Sequence, residues 1–403
     1  MLEFFDDDPL FQMFTDRAIA LVARGAAEMG ECSATARRIE PGDRDGWYGQ
    51  WTALARRLAE TAGESAAAGR WTSAADGYQR AATYFRTAYQ PLFGEPVDPR
   101  LTEAFDLESD CFGSFAALAP QPVEAVEIPF EGTTLPGYLC LPADADPAGP
   151  PLPTVVSVNG YDSNVHEAYA MHAVPAVRRG YACLLVDGPG QGSVLIRQGL
   201  RLRPDWETVL RPVIDYAAGR SEVDAGRIAV MGMSLGGFLA PRGVSGDGRV
   251  AALIADPGMW DLLAGMGLPP DVMDRLPDVD PDELTALVAP AAESPMGRWR
   301  LVQRGLWTHG VESLGAYIIE LSRYTLSDVA GRIACPALVV ANESDPLSAH
   351  AQLLHDAVAG PKTLVRLGGE DGAFGHCQIW NRSVFDRCAF DWLDGILSPE
   401  SAE

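Results

Sequence analysis

The sequence predicts an α/β fold, a mostly parallel central sheet with helices on both faces. Short apolar runs rich in β-branched residues recur at 154–158, 181–186, 227–231 and 250–255, each the length of a strand buried on both sides. Helix-period stretches at about 165–179 and 205–219 separate them. After an interruption the alternation resumes: strand 337–341, helix 347–359, strand 363–367 and a last helix at about 378–396.

The elements in order begin with an N-terminal helical region, 1–121, which carries almost no strand signal. Ile19, Val22, Ala23 and Ala26 share one helical face within 16–29. Trp47, Trp51, Leu54 and Leu58 share another, and Ala75, Tyr78, Ala82, Phe85 and Tyr89 a third, with Thr72 or Ser73 as the cap. No copy of this texture recurs at a fixed period, which argues against a repeat array and for an appendage packed on the α/β region. Gln121-Pro122 opens that second region, 122–403. There 123–130 and 134–141 alternate in polarity around Glu131-Gly132-Thr133, an antiparallel pair. The Pro- and Asp-rich stretch 257–328 holds apolar clusters but no strand, and reads as a helical lid inserted over the sheet edge.

Forty-seven per cent of the 403 residues are hydrophobic, ample for a sizeable core. No run approaches the ~20 apolar residues of a membrane span, and the acidic start Met-Leu-Glu-Phe-Phe-Asp-Asp-Asp is unlike a signal peptide. A cytoplasmic protein is expected. A net charge of −24 argues against nucleic acid or an anionic membrane as partner. The seven cysteines form no C-x-x-C pair, so reduced structural thiols are expected and no metal site.

The chemistry concentrates at Gly232-Met233-Ser234-Leu235-Gly236, a G-x-S-x-G pentapeptide between a strand and a small-residue helical stretch. This is the setting of a nucleophile elbow, in which Ser234 would attack a carbonyl. A serine nucleophile needs a base and the base an orienting acid, following it in the order acid, then histidine. Of six histidines only His376 lies in a loop after the last strand, Gly-Gly-Glu-Asp-Gly-Ala-Phe-Gly-His. The loop after the preceding strand, Asn342-Glu343-Ser344-Asp345-Pro346, supplies Asp345 as the acid, with Glu343 in reserve. The backbone amides of Leu235 and of Tyr161, in the turn after strand 154–158, are the expected oxyanion donors. Gly188-Pro189-Gly190-Gln191-Gly192 follows a strand but lacks G-x-G-x-x-G spacing, so no dinucleotide or other organic cofactor is expected. Asp187 and Asp256 end strands at the same edge, as pocket acids or loop caps. Trp260, Met259, Met266, Met273, Trp299 and Trp307 could line an apolar pocket or simply pack a core.

Taken together, these residues resemble the α/β-hydrolase superfamily, in its branch with an N-terminal helical region. That branch holds dihydroxypseudooxynicotine hydrolase, the fungal polyketide-shortening hydrolase and FrsA-like esterases. The resemblance rests on Gly42-Asp43 with Trp47-Tyr48 and Trp51, Ser73-Ala74 with Tyr84-Phe85-Arg86, and Asn159-Gly160-Tyr161-Asp162. It continues through Asp187–Gly192, Gly232–Gly237 and His376-Cys377-Gln378. It implies a Ser234–Asp345–His376 triad, no metal or organic cofactor, a homodimer, and a small aromatic or polyketide-like substrate; Asp162, Asp256 and Trp260 are the residues expected in the pocket, independently of the resemblance. The bond cleaved would be an ester or a carbon–carbon bond beside a ketone. An acyltransferase or cyclase on the same scaffold is the alternative expectation, and a non-catalytic binding protein a third. A peptidase fits the sheet alone, but no propeller-like repeats precede it.

Overall fold

The computed structural model describes residues 3–263, 266–276 and 278–397. Five helices come first: α1 (Pro9–Ala20), α2 (Met29–Ala36), α3 (Arg44–Ala67), α4 (Trp71–Tyr89) and α5 (Pro99–Leu118). Asp8 caps α1, its carboxylate accepting from the Leu10 and Phe11 amides, and Pro9 occupies the first turn, where no amide is required. The helix expected over 16–29 is displaced. Gly25 adopts a left-handed φ of 75° after a short 3₁₀ turn, and α2 starts afresh beyond it. Thr72 and Ser73, expected as caps, lie inside the first turn of α4, which begins directly after the left-handed Gly69 ends α3. No clear periodicity announces α5: polar residues dilute its apolar stripe, of which Leu101, Phe105, Phe112 and Phe115 are buried.

An eight-stranded sheet comes next, in the order β1-β2-β4-β3-β5-β6-β7-β8. The hairpin β1 (Val123–Phe130) and β2 (Thr133–Cys140) is antiparallel, with Glu131 and Gly132 at positive φ in the turn. β3 (Leu152–Val158) and β4 (Ala182–Val186) are parallel, and β4 also meets β2 antiparallel. The segment between β3 and β4 is helical over 165–177, with a π turn (Tyr169–Ala173) joining α6 (Val165–Ala168) to α7 (Val174–Val177). α8 (Gly192–Ile196) and α9 (Glu207–Ala218) lead to β5 (Val223–Met233), and α10 (Gly236–Val244) to β6 (Ala252–Asp256).

The inserted segment has no strand among its described residues beyond one isolated bridge, Asp261 to Thr325; residues 264, 265 and 277 of it lie outside the described set. Its helices are short: α11 (Pro270–Met273), α12 (Pro281–Val288), α13 (Pro295–Gly297), a π segment (Arg298–Leu306), α14 (Trp307–His309) and α15 (Leu314–Leu321). β7 (Ala337–Asn342), α16 (Ala351–Ala357), β8 (Lys362–Leu367) and α17 (Arg382–Leu397) complete the chain. α17 starts later than expected, because the stretch 376–378 is a 3₁₀ turn with Cys377 at φ 51°.

Strand residues alternate between two apolar layers, as their period of two requires. Val155, Leu185, Met231, Ile254 and Val340 face a layer shared with the N-terminal helices and α17. Val156, Leu184, Val230, Leu253 and Val339 face α9, α10 and α16. The first layer contains an aromatic cluster in which Trp47 lies 4.4 Å from Phe11 and 5.6 Å from Trp51. Trp299 and Trp307 of the inserted segment join it, at 5.0 Å from Phe14 and 5.4 Å from Phe93. These two tryptophans are therefore packing core. The inserted segment also has a small apolar core of its own, around Leu284, Leu314 and Ile318. Among the described residues no helix is long and apolar enough to cross a membrane.

Candidate active site

Six parallel strands, β3 to β8, end at one edge, the place where loops of an open α/β sheet carry chemistry. β5 runs into Ser234, which sits at φ 60°, a left-handed conformation uncommon for a residue with a side chain. Glycine makes the turn possible on both sides. A Cβ on Gly232 would run into the Gly236 carbonyl, and one on Gly236 into that of Val158. The Ser234 amide donates to the Asp256 carbonyl at 2.7 Å, pinning the turn to the end of β6.

Loops after β7 and β8 bring two further side chains to this serine. His376 Nε2 lies 2.7 Å from Ser234 Oγ, and His376 Nδ1 lies 2.7 Å from Asp345 Oδ2. A carboxylate at Nδ1 keeps the proton there and leaves Nε2 to accept from the serine hydroxyl. Asp345 is 2% exposed and also accepts from the Cys377 amide at 3.2 Å and, through Oδ1, from the Leu347 amide at 3.1 Å. Burial opposes its charge, but these bonds and His376 outweigh burial and hold its pKa below the usual carboxylate value. Desolvation opposes the imidazolium of His376, whose side chain is nonetheless 44% exposed, while the Cys377 sulfur and the Asp345 carboxylate beside the ring raise its pKa above the ordinary histidine value.

Groups not singled out from the sequence hold these loops. Asn342 Nδ2 donates to the Gly375 carbonyl at 2.9 Å, and Ser344 Oγ accepts from the Gly375 amide at 3.0 Å, stitching the acid's loop to the histidine's. The Asn-x-Ser spacing just ahead of Asp345 was the available signal. The Cys377 sulfur lies 3.5 Å from Nε2. Asp345, His376 and Cys377 offer potential metal-ligand atoms within 4.8 Å of one another, but the Nδ1–Oδ2 hydrogen bond already uses the nitrogen on that side.

The turn after β3 runs against the serine: a Cβ on Gly160 would lie 3.0 Å from Ser234 Cβ and 3.3 Å from Oγ. Neither the Leu235 nor the Tyr161 amide has a hydrogen-bond acceptor among the described residues. The Gly188–Gly192 stretch, whose glycines raised a cofactor loop as a possibility, braces this turn instead. Gln191 Nε2 donates to the Asn159 carbonyl at 2.7 Å and to that of Gly160 at 3.2 Å. Asp187 is a loop cap, accepting from Asn159 Nδ2 at 2.8 Å and from the Ser193 amide at 3.1 Å, with burial lifting its pKa to about 6.

Asp162 follows Tyr161 and is held from three elements. Arg17 of α1 meets its carboxylate at 3.1 Å, Arg304 of the π segment at 3.9 Å, and Arg86 of α4 donates to its carbonyl at 3.0 Å. Burial opposes its charge, but Arg17, then Arg304 and Arg86, depress its pKa. Arg17 and Arg86 also share Glu167 of α6, at 2.6 and 2.9 Å. Asp162 is thus a tie between the N-terminal helices, the turn after β3 and the inserted segment.

Asp256 stands elsewhere than a pocket. It is fully buried and paired with Arg382 at 2.6 Å, and Arg382 also donates to the Cys377 carbonyl at 2.8 Å. The carboxylate thereby supports the histidine's turn from below. Trp260 is partly buried against the apolar layer of α9 and α10. Tyr161 reaches upward, its hydroxyl 3.1 Å from that of Tyr317 on α15 and its ring 4.1 Å beneath the Arg304 guanidinium.

Comparison with known proteins agrees with this architecture. The family model of X-Pro dipeptidyl-peptidase (S15 family) matches residues 131–367. Hydrolase LUC6 of a Fusarium species is 36% identical, over 78% of this chain and 77% of its own. The 20-hydroxy-prefusarin hydrolase FUS2 of Gibberella moniliformis is 34% identical, over 80% and 79%. The crystal structure of 2,6-dihydroxy-pseudo-oxynicotine hydrolase superposes with a TM-score of 0.75 at 22% identity, covering 96% of this chain and 97% of that one. The chain therefore belongs to the family that this model describes, is related to these fungal hydrolases, shares the α/β-hydrolase fold of 2,6-dihydroxy-pseudo-oxynicotine hydrolase, and is a hydrolytic enzyme.

Proposed function

We propose that the chain is a serine hydrolase that forms an acyl-enzyme on Ser234 and cleaves an ester, or a carbon–carbon bond beside a ketone, in a small aromatic or polyketide-like substrate. The observation that carries this reading is the pair of 2.7 Å contacts that link Ser234, His376 and Asp345 in series at the sheet edge. His376 takes the serine proton at Nε2 as Oγ attacks the carbonyl, and Asp345 stabilises the imidazolium formed. The amides of Leu235 and Tyr161 receive the oxyanion, each contributing about 10²–10³ in rate. Collapse expels an alcohol, or a carbon whose anion is delocalised, and His376 returns the proton to it. Water, activated by the same imidazole, then releases the acid.

The substrate class is supported by FUS2, whose name gives 20-hydroxy-prefusarin as the compound hydrolysed. The reading is tested with a fluorophosphonate probe. Expected is one adduct, on Ser234, absent from Ser234→Ala; a folded wild type that takes no label refutes it. Incubation with an alcohol acceptor separates hydrolysis from acyl transfer by the product formed.

A further inference from the structure

His309 closes the last turn of α14 and is 6% exposed, yet neither ring nitrogen has a hydrogen-bond partner among the described residues. Buried imidazoles are nearly always satisfied, so two orphaned nitrogens call for a missing partner. Burial, with help from Arg304, pushes the His309 pKa down to about 3, which leaves the ring neutral, with one donor and one acceptor. Three phenol rings enclose it: Tyr161 at 5.7 Å, Tyr317 at 5.2 Å and Tyr324 at 5.0 Å. The Tyr324 hydroxyl and the Thr308 hydroxyl are orphaned as well. Unmet hydrogen-bonding capacity of His309 and its neighbour Tyr324 is therefore gathered in one place.

Two elements link that place to the surroundings of Ser234. Tyr161 belongs to the turn whose neighbour Gly160 abuts Ser234, and Tyr324 lies 6.1 Å from Phe238, on the helix that starts behind Ser234. The Tyr161–Tyr317 hydroxyl contact joins the turn to the inserted segment across the cluster. A neutral imidazole among aromatic faces suits a flat, uncharged, oxygen-bearing group. A carboxylate would have to compete with Asp162 for Arg304, the cation beside the cluster, and a purely apolar group would leave every orphan unmet.

We propose that His309 is a substrate-binding residue that, once the Tyr161–Tyr317 contact parts, hydrogen-bonds the enol or ketone oxygen of a conjugated β-dicarbonyl. This deepens the serine-hydrolase reading and rests on it. Such a contact would hold the dicarbonyl with one carbonyl toward Ser234 and the other against the inserted segment.

The test uses benzoylacetone as the dicarbonyl and butyrophenone, which lacks the second oxygen, as its control. Binding to full-length Ser234→Ala protein is measured by calorimetry. Expected is tighter binding of benzoylacetone than of butyrophenone by about tenfold, the scale of one hydrogen bond, with the preference lost in Ser234→Ala/His309→Phe and largely kept in Ser234→Ala/His309→Gln. No preference in the parent, or a preference that survives in the Phe variant, overturns the proposal. If the Phe variant does not fold, isotope-labelled histidine in the parent decides: an imidazole nitrogen resonance that moves with benzoylacetone and is missing from the Gln variant supports it, and an unmoved one overturns it. Fluorophosphonate labelling of the Ser234-containing wild type separates the two layers. Absence of label sinks the serine-hydrolase reading, whereas label without dicarbonyl preference sinks only the role of His309.

Discussion

Replacing Asp345 by Asn tests the serine-hydrolase reading with almost no change in shape. Asp345 Oδ2 accepts from His376 Nδ1 at 2.7 Å and from the Cys377 amide at 3.2 Å, while Oδ1 accepts from the Leu347 amide at 3.1 Å. All three partners donate, and Asn has only one accepting atom. If its NH₂ faces His376, the ring must turn its proton to Nε2, where it can no longer accept from Ser234, and turnover falls by about 10⁴. If the NH₂ faces Leu347 instead, an unmet buried donor pair costs about 1–3 kcal/mol of stability. Either rotamer thus leaves a distinct mark, in activity or in the urea midpoint. The pH profile gives a third. His376 must be neutral to act as base, so wild-type kcat/KM rises with pH through a pKa that lies above the usual histidine value. Removing the carboxylate removes one cause of that elevation, so the residual activity of Asp345→Asn has its acid limb at lower pH. Measured on a p-nitrophenyl ester, a variant that keeps more than a tenth of wild-type kcat together with an unchanged urea midpoint, or an acid limb that moves upward, refutes the reasoning.

Other substitutions read the supports. Arg17→Ala removes the shorter of the two cation contacts to the Asp162 carboxylate and loosens the turn bearing Tyr161; kcat on an ester should drop by up to about 10² with little change in KM, because misplacement of that order is enough. Arg382→Met strands the Asp256 carboxylate in the core and should cost about 3–5 kcal/mol in urea unfolding, whereas Asp256→Asn/Arg382→Met should recover much of it. Gly160→Ala places a methyl 3.0 Å from Ser234 Cβ and 3.3 Å from its Oγ and should slow fluorophosphonate labelling, with a fall in the thermal midpoint because the serine's turn must give way.

The proposed trio of Ser234, Asp345 and His376 was readable because each member ends a strand or follows one, and the chain order of such loops narrows six histidines to one. The strands were readable for the same reason: fully buried runs such as 154–158 and 337–341 have little else to be. The supports were not. Arg382 meets Asp256 across 126 positions, and Arg17 reaches Glu167 across 150, with no local pattern to announce either contact. Gln191 looked like part of a Gly-rich loop, although its amide is what braces the turn after β3. In the N-terminal region, apolar period located α3 and α4, but left-handed glycines at 25 and 69 decide where helices restart, and composition does not reveal their φ.

The separate apolar nucleus around Leu284, Leu314 and Ile318 gives the inserted segment a stability partly independent of the sheet beneath it. The segment's outer helices are expected to tolerate redrawing as long as Arg304 keeps Asp162 and Tyr317 keeps Tyr161, the contacts that tie the segment to the turn after β3. Directed evolution of substrate range should therefore concentrate diversity within 257–328 and leave untouched the two tryptophans, Trp299 and Trp307, that dock it.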